Sequence, residues 1–336
     1  NKFLHTVTSS FVLAALFVVG VSAWYLLRGR EKRMASKSIA VASAFGFVFA
    51  LVTAFTGDRS GAVIARTQPM KLAAMEALYE GSEGAPLTVV GVLQSEEKRS
   101  AGETFHFRID IPKLLSIMSF RDAEAYVAGI NDLIEGNAGR GILSAEEKIA
   151  RGRAVVATLD RYRTARDGGD EGTMRQIEEL FNPDTAQGEH FLREYFAYFG
   201  YGYIDDVQQL VPNVPLLFYS FRVMVGAGCL FILVLGLVWW YNRRDRLASK
   251  RWLLHTAVWC IPLAYAASQA GWIVAEVGRQ PWAIQELMPV GVAASKIPSG
   301  SVTTTFILFL VLFTALLVAE LSILFRQIKL GPEPEK

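Results

Sequence analysis

Glu276, Arg279, Trp272 and Trp282 stand within eleven residues at the point where a long apolar run stops. At helical spacing Trp272 and Glu276 share a face, and Arg279 lies three residues further round the same side. Pro281 then bars continuation of the helix. An ionisable group at lipid depth costs a few kcal/mol unless it is paired, ligated or wetted, so a carboxylate there marks a site. Two readings stand at this point. Either Glu276 and Arg279 form an interfacial ion pair with Trp282 in an aromatic belt, or the carboxylate has a ligand of its own.

The elements that carry these groups are membrane spans. Of the 336 residues, 52% are hydrophobic and 20% charged, and the mean hydropathy is positive, so the apolar residues are segregated into blocks. That pattern predicts an all-α polytopic membrane protein with a large extramembrane part. Five runs are long enough to span: residues 6–27, 38–56, 215–241, 252–277 and 302–325. Trp24 and Tyr25, Trp239 to Tyr241, and Trp252 sit at their ends as interfacial anchors. The basic clusters Arg28 to Lys37 and Arg243 to Arg251, with Arg326 and Lys329, fall on connections that the positive-inside rule places in the cytoplasm. Residues 57–214 and the turn 278–300 then lie outside. In that topology His5, Met224 and Glu276, drawn from three spans, all fall toward the outer leaflet.

The division expected is two transmembrane helices over 1–56, an extracytoplasmic loop domain over 57–214, and three transmembrane helices with a cytoplasmic tail over 215–336. The loop domain is too long to be a plain connection and should carry function of its own. Residues 87–93 and 104–109 read as strands. Ser144 to Glu147 reads as a capping box opening a helix that runs to about Arg166, and 174–181 and 189–198 as shorter helices. Acidic side chains outnumber basic ones in this segment by roughly eight, which suits a solvated exported domain. Cys229 and Cys260 lie in apolar runs and are expected as small buried hydrophobes. The chain starts at Asn1 with no leader-like pattern, and reads as a fragment whose start lies upstream.

Val274-Ala-Glu276-Val-Gly-Arg-Gln-Pro-Trp282 resembles the signature of subunit I of the cytochrome bd quinol oxidases. The likeness continues in the family's order through Lys2-Phe-Leu-His5-Thr-Val, Lys71-Leu-Ala-Ala-Met-Glu76-Ala and Phe221-Arg222-Val-Met224-Val. It implies that His5 and Met224 ligate a low-spin heme b, a pairing that raises the heme potential relative to two histidines. It implies that Glu276 ligates a high-spin heme b, that Trp272 lies between the hemes, that Arg222 pairs with a propionate, and that Arg279 belongs to the cofactor site. Lys71 and Glu76 resemble the family's quinol pair, the carboxylate accepting a proton while the ammonium stabilises developing quinolate. Five apart on a helix they are not stacked, so a shared site needs a bend or a ligand between them.

The resemblance also implies a heme d whose main protein ligand lies upstream of this sequence, so the fragment is expected to be inactive alone. Quinol, ubiquinol or menaquinol, and dioxygen are the expected substrates. A second large membrane subunit, small single-span subunits and the bilayer of the bacterial inner membrane are the expected partners, and nucleic acid is not. Two other classes stay open on the residues alone: a transporter or channel lined by Glu276, Arg279 and Glu320, and a non-catalytic heme b module that leaves Glu276 structural. Asp58 and Glu320 are further carboxylates that a proton route could use.

Overall fold

The computed structural model describes residues 2–100 and 102–332. Among them five helices are long and apolar enough to cross a membrane: α1 (Lys2–Leu27), α2 (Lys32–Thr67), α10 (Val214–Arg243), α11 (Arg251–Val277) and α13 (Ser299–Leu330). The fold is all-α and polytopic, as the segregated apolar blocks predict. Small α/β elements fill the stretch between α2 and α10.

These elements are α3 (Pro69–Glu76), β1 (Ser82–Glu83), β2 (Leu87–Leu93), α4 (Glu96–Ser100), β3 (Phe105–Ile111), α5 (Leu114–Phe120), β4 (Tyr126–Val127), α6 (Ile130–Glu135), α7 (Ala145–Gly168), α8 (Glu171–Leu180) and α9 (Ala186–Glu194). The turn between α11 and α13 holds β5 (Trp282–Ile284), β6 (Met288–Pro289) and the one-turn α12 (Val290–Ala293). β1 pairs with β4, β2 with β3 and β5 with β6, each antiparallel.

α2 runs eleven residues past the expected end of the second span. Nothing between Gly57 and Thr67 forbids a helix; Pro69 forces Gln68 out of helical backbone, at φ −143° and ψ 59°, and the chain restarts as α3 with the proline in its first turn. The Ser144 cap is as expected: its hydroxyl accepts from the Glu147 amide, and α7 ends on Gly169 at φ +73°. Residues 189–198 do not form one helix. α9 stops at Glu194, and Phe196–Tyr203 continue as a 3-10 helix with a kink at Tyr198.

The chain divides into two compact units. One comprises Asn1–Ser9, Leu51–Cys229 and Tyr265–Ala293; the other comprises Ser10–Ala50, Leu230–Ala264 and Ala294–Lys336. The core of the first unit joins α3 (Leu72 to Met75) to Leu217 and Phe218 of α10, Val274 of α11, and Leu93, Leu115, Val127 and Ile130. Complete burial of a ring such as Phe218 contributes about 3 kcal/mol. A second, smaller cluster gathers Ile149, Tyr201, Ile204, Leu210 and Trp282.

In the other unit, Leu16, Val19, Ile39, Leu235, Leu253 and Ala257 are fully buried. Ala15 and Leu235 crowd against Gly46, so α1, α2 and α10 approach closely there. α13 buries no residue along its length. Its last turn is held from α1 and the loop after it: the Tyr25 hydroxyl donates to the Ile328 carbonyl, and Arg30 to those of Lys329 and Leu330.

Candidate functional site

Every residue singled out in the sequence for ligation or proton chemistry, apart from Glu320 on α13, lies in the first unit. His5 sits near the start of α1, half-buried, with Nδ1 3.0 Å from the Thr56 hydroxyl of α2. That hydroxyl also lies 3.1 Å from the Thr53 carbonyl, to which it donates. A hydroxyl used in that way can accept from a protonated Nδ1, the tautomer that leaves a lone pair on Nε2. The ring lies over Gly57, where an added β-carbon would stand 3.3 Å from it.

Met224, on α10, is floored in the same way by another helix. Its thioether sulfur stands 3.2 Å from where a β-carbon on Gly271 of α11 would be. Two residues earlier on α10, Arg222 turns back toward the long segment. Its terminal nitrogens donate to the Glu76 carboxylate at 2.6 Å, to the Thr88 carbonyl at 2.9 Å and to the Met75 carbonyl, and its guanidinium lies 3.7 Å over the Phe218 ring. Its Nε is buried and unpartnered.

α3 places Lys71 and Glu76, both buried, on different neighbours rather than on each other. Glu76 takes the Arg222 pair; burial pushes its carboxyl above the usual carboxylate range, against the pull of the guanidinium. Lys71 runs across Gly278, where a β-carbon would stand 2.9 Å from its Cε, and its ammonium donates to the Ala275 carbonyl at 3.4 Å. Burial lowers its pKa to about 8; the nearby cations Lys2 and Arg279 act in the same direction and Glu276 against it.

Glu276 and Arg279 form an ion pair at 2.5 Å, as one of the two sequence readings has it. Both side chains stay close to half exposed, Trp272 on the same face is 56% exposed, and the Arg279 Nε is buried without a partner. Trp282 is buried against Tyr201, ring centroids 5.0 Å apart, and the Tyr201 hydroxyl donates to Glu286 at 3.0 Å.

The cytochrome bd terminal oxidase subunit I family model matches residues 1–332. The chain belongs to that family. It is 32% identical over 339 residues to the cytochrome bd-II ubiquinol oxidase subunit 1 of Escherichia coli and 26% identical over 334 residues to the cytochrome bd ubiquinol oxidase subunit 1 of Bacillus subtilis. It also resembles a chain of the bd oxidase structure from Geobacillus thermodenitrificans, at 25% identity and a TM-score of 0.66 over 98% of its own length. It spans 62%, 57% and 58% of those three chains.

Against this family background the donor set fits iron porphyrin. An imidazole, a thioether and a carboxylate are donor types that heme iron accepts, and the glycines at 57 and 271 let the first two pack closely on the neighbouring helices. The buried, unpartnered Nε atoms of Arg222 and Arg279 are cationic donors that an acidic group would satisfy.

Sequence reasoning did not find Thr56, which lies 3.0 Å from His5 Nδ1, or the glycines at 57, 271 and 278. The signal available was a small residue facing each polar one. Asp58 pairs with Arg121 of the loop. Among the described residues no cluster of three metal-ligating side chains occurs. Cys260 is buried as expected, whereas Cys229 is exposed.

Proposed function

We propose that the chain is the heme-bearing subunit of a cytochrome bd-type terminal respiratory oxidase, oxidising quinol on the outer side of a bacterial inner membrane while dioxygen is reduced to water. Family membership supports heme cofactors in general and the quinol oxidase class. The names of the relatives, ubiquinol oxidases of two bacteria, support the substrate.

In this reading His5 and Met224 would hold a low-spin heme b and Glu276 a high-spin heme b, with the indole of Trp272 as an aromatic neighbour of the site. The Nε atoms of Arg222 and Arg279 reach propionates. A heme d is the site of dioxygen reduction in this reading. Residues 57–214 form the extracytoplasmic quinol domain. A second large membrane subunit and small single-span subunits complete the enzyme.

One observation carries the proposal: Nδ1 of His5 is held 3.0 Å from the Thr56 hydroxyl, an outer contact that orients the ring and leaves Nε2 as the nitrogen that would meet a metal. Bound hemes supply one-electron acceptance; the chain supplies the proton chemistry. A quinol gives up two protons with its two electrons. Glu76, made more basic by burial, accepts a proton from a quinol hydroxyl, while Lys71 stabilises the oxygen that loses it.

The half-exposed ion pair of Glu276 with Arg279 favours one competing reading, a heme b module in which Glu276 is structural. A reduced-minus-oxidised spectrum of the holoenzyme separates the cases. Low-spin and high-spin b signals with a chlorin band support the oxidase, low-spin b alone supports the module, and a spectrum without heme leaves a transporter or channel.

A further inference from the structure

α3 is eight residues long, and its two ends hold different helices. Near its start, Lys71 crosses Gly278 and reaches the carbonyl of Ala275, the residue before Glu276. At its end, the Met75 carbonyl and the Glu76 carboxylate take Arg222, two residues before Met224. Every residue from Lys71 to Glu76 is buried, so these attachments cannot be exchanged for water without moving the helix.

We propose that α3 is a strut joining the quinol-side pair to the two iron-ligand positions separately, with Lys71 a positioning residue for Glu276 and Glu76 a positioning residue for Met224. The inference rests on the roles assigned above to Met224 and Glu276. Its physical content is charge and attachment. Among the described residues the Glu76 carboxylate is the only anion paired with Arg222, whose other acceptors are the Met75 and Thr88 carbonyls. Neutralising it leaves a bare guanidinium two residues from Met224, and uncompensated positive charge there favours an added electron nearby. Lys71 is itself a cation anchored beside Glu276, so its removal disfavours an added electron at that end. The two effects have opposite signs and fall on different irons. By linkage, reduction at either iron must also alter the hold on the corresponding quinol-side group.

The test is an optical redox titration of the membrane-bound holoenzyme and its Glu76→Gln, Lys71→Met and Lys71→Arg variants. Glu76→Gln should raise the midpoint of the low-spin b signal and leave the high-spin signal in place. Lys71→Met should lower the high-spin midpoint alone, and Lys71→Arg, which keeps the cation, should restore it. Each shift should change the reduced-to-oxidised ratio at fixed potential by roughly fivefold, the scale of coupling between linked sites. Midpoints unmoved in both variants while turnover falls would overturn the strut and leave the quinol assignment standing. Both signals moving together in each variant would also overturn it. A parent enzyme without b-type signals would instead defeat the heme reading itself.

Discussion

Arg222 and Glu76, 146 residues apart in the chain, meet at 2.6 Å, with 13% and 3% of their side chains exposed. The pair is the ionic attachment of the long segment to α10. Desolvating two charges costs several kcal/mol and is partly offset here by the carbonyls of Met75 and Thr88, which each accept a further guanidinium proton.

Removing one partner should therefore cost more than removing both. Arg222→Gln leaves a buried carboxylate uncompensated and should destabilise the chain by about 3–5 kcal/mol, whereas the double variant with Glu76→Gln should recover part of that loss. Unfolding of parent, single and double variants in one detergent closes the cycle, and a purely additive result would show that the pair is not coupled.

Met224→Leu conserves volume and apolarity, so it should cost under about 1.5 kcal/mol of stability. It removes the only sulfur in the Gly271 contact, and the low-spin b signal should disappear with it. A low-spin spectrum equal to that of the parent would identify the methionine as packing.

Lys71 gives a pH prediction. Its folded-state pKa is lowered to about 8 from the ordinary 10.5, so between these values the unfolded chain binds more protons than the folded one. Stability contributed through this group accordingly rises as pH climbs from about 8 toward 10.5. Quinol turnover should run the other way, falling on an alkaline limb near 8 as the ammonium is lost. Lys71→Arg should move that limb upward; an unchanged limb would assign it to another group.

Gly278→Ala tests the crossing of Lys71 over the α11 terminus. An added β-carbon would stand 2.6 Å from the Val274 carbonyl oxygen and 2.9 Å from the Lys71 Cε, so either the helix end or the lysine must shift. The variant should reproduce the quinol defect of Lys71→Met. Gly168→Ala, with nothing within 4 Å of the new carbon, should leave turnover as it was and serves as the control.

Local chemistry made part of this legible in the sequence. The Ser144 cap, the strand at 87–93 and the five spans each follow from contiguous residues whose spacing carries the signal. Glu276, Arg279 and Arg222 stood out because ionisable groups are costly beside apolar runs, whereas His5 and Met224 are weak signals alone and took their roles from the family resemblance. What stayed hidden is non-local. Nothing in the spacing pairs Arg222 with Glu76, α3 is too short for a periodic pattern, and a glycine in a membrane helix is too common to announce that it faces His5 or Met224. Lys71 and Glu76 read as two members of one site; the fold turns one toward α11 and the other toward α10.

α13 is bare along its sides and gripped at one end, by Tyr25 and Arg30 on its closing carbonyls. A rod of 32 residues at about 1.5 Å each is about 48 Å long, so pivoting it by about 10° carries the free tip some 8 Å. Because no described residue of α13 is buried, that angle belongs to whatever jackets it, lipid tails or a neighbouring polypeptide, and will follow the thickness of the surrounding membrane.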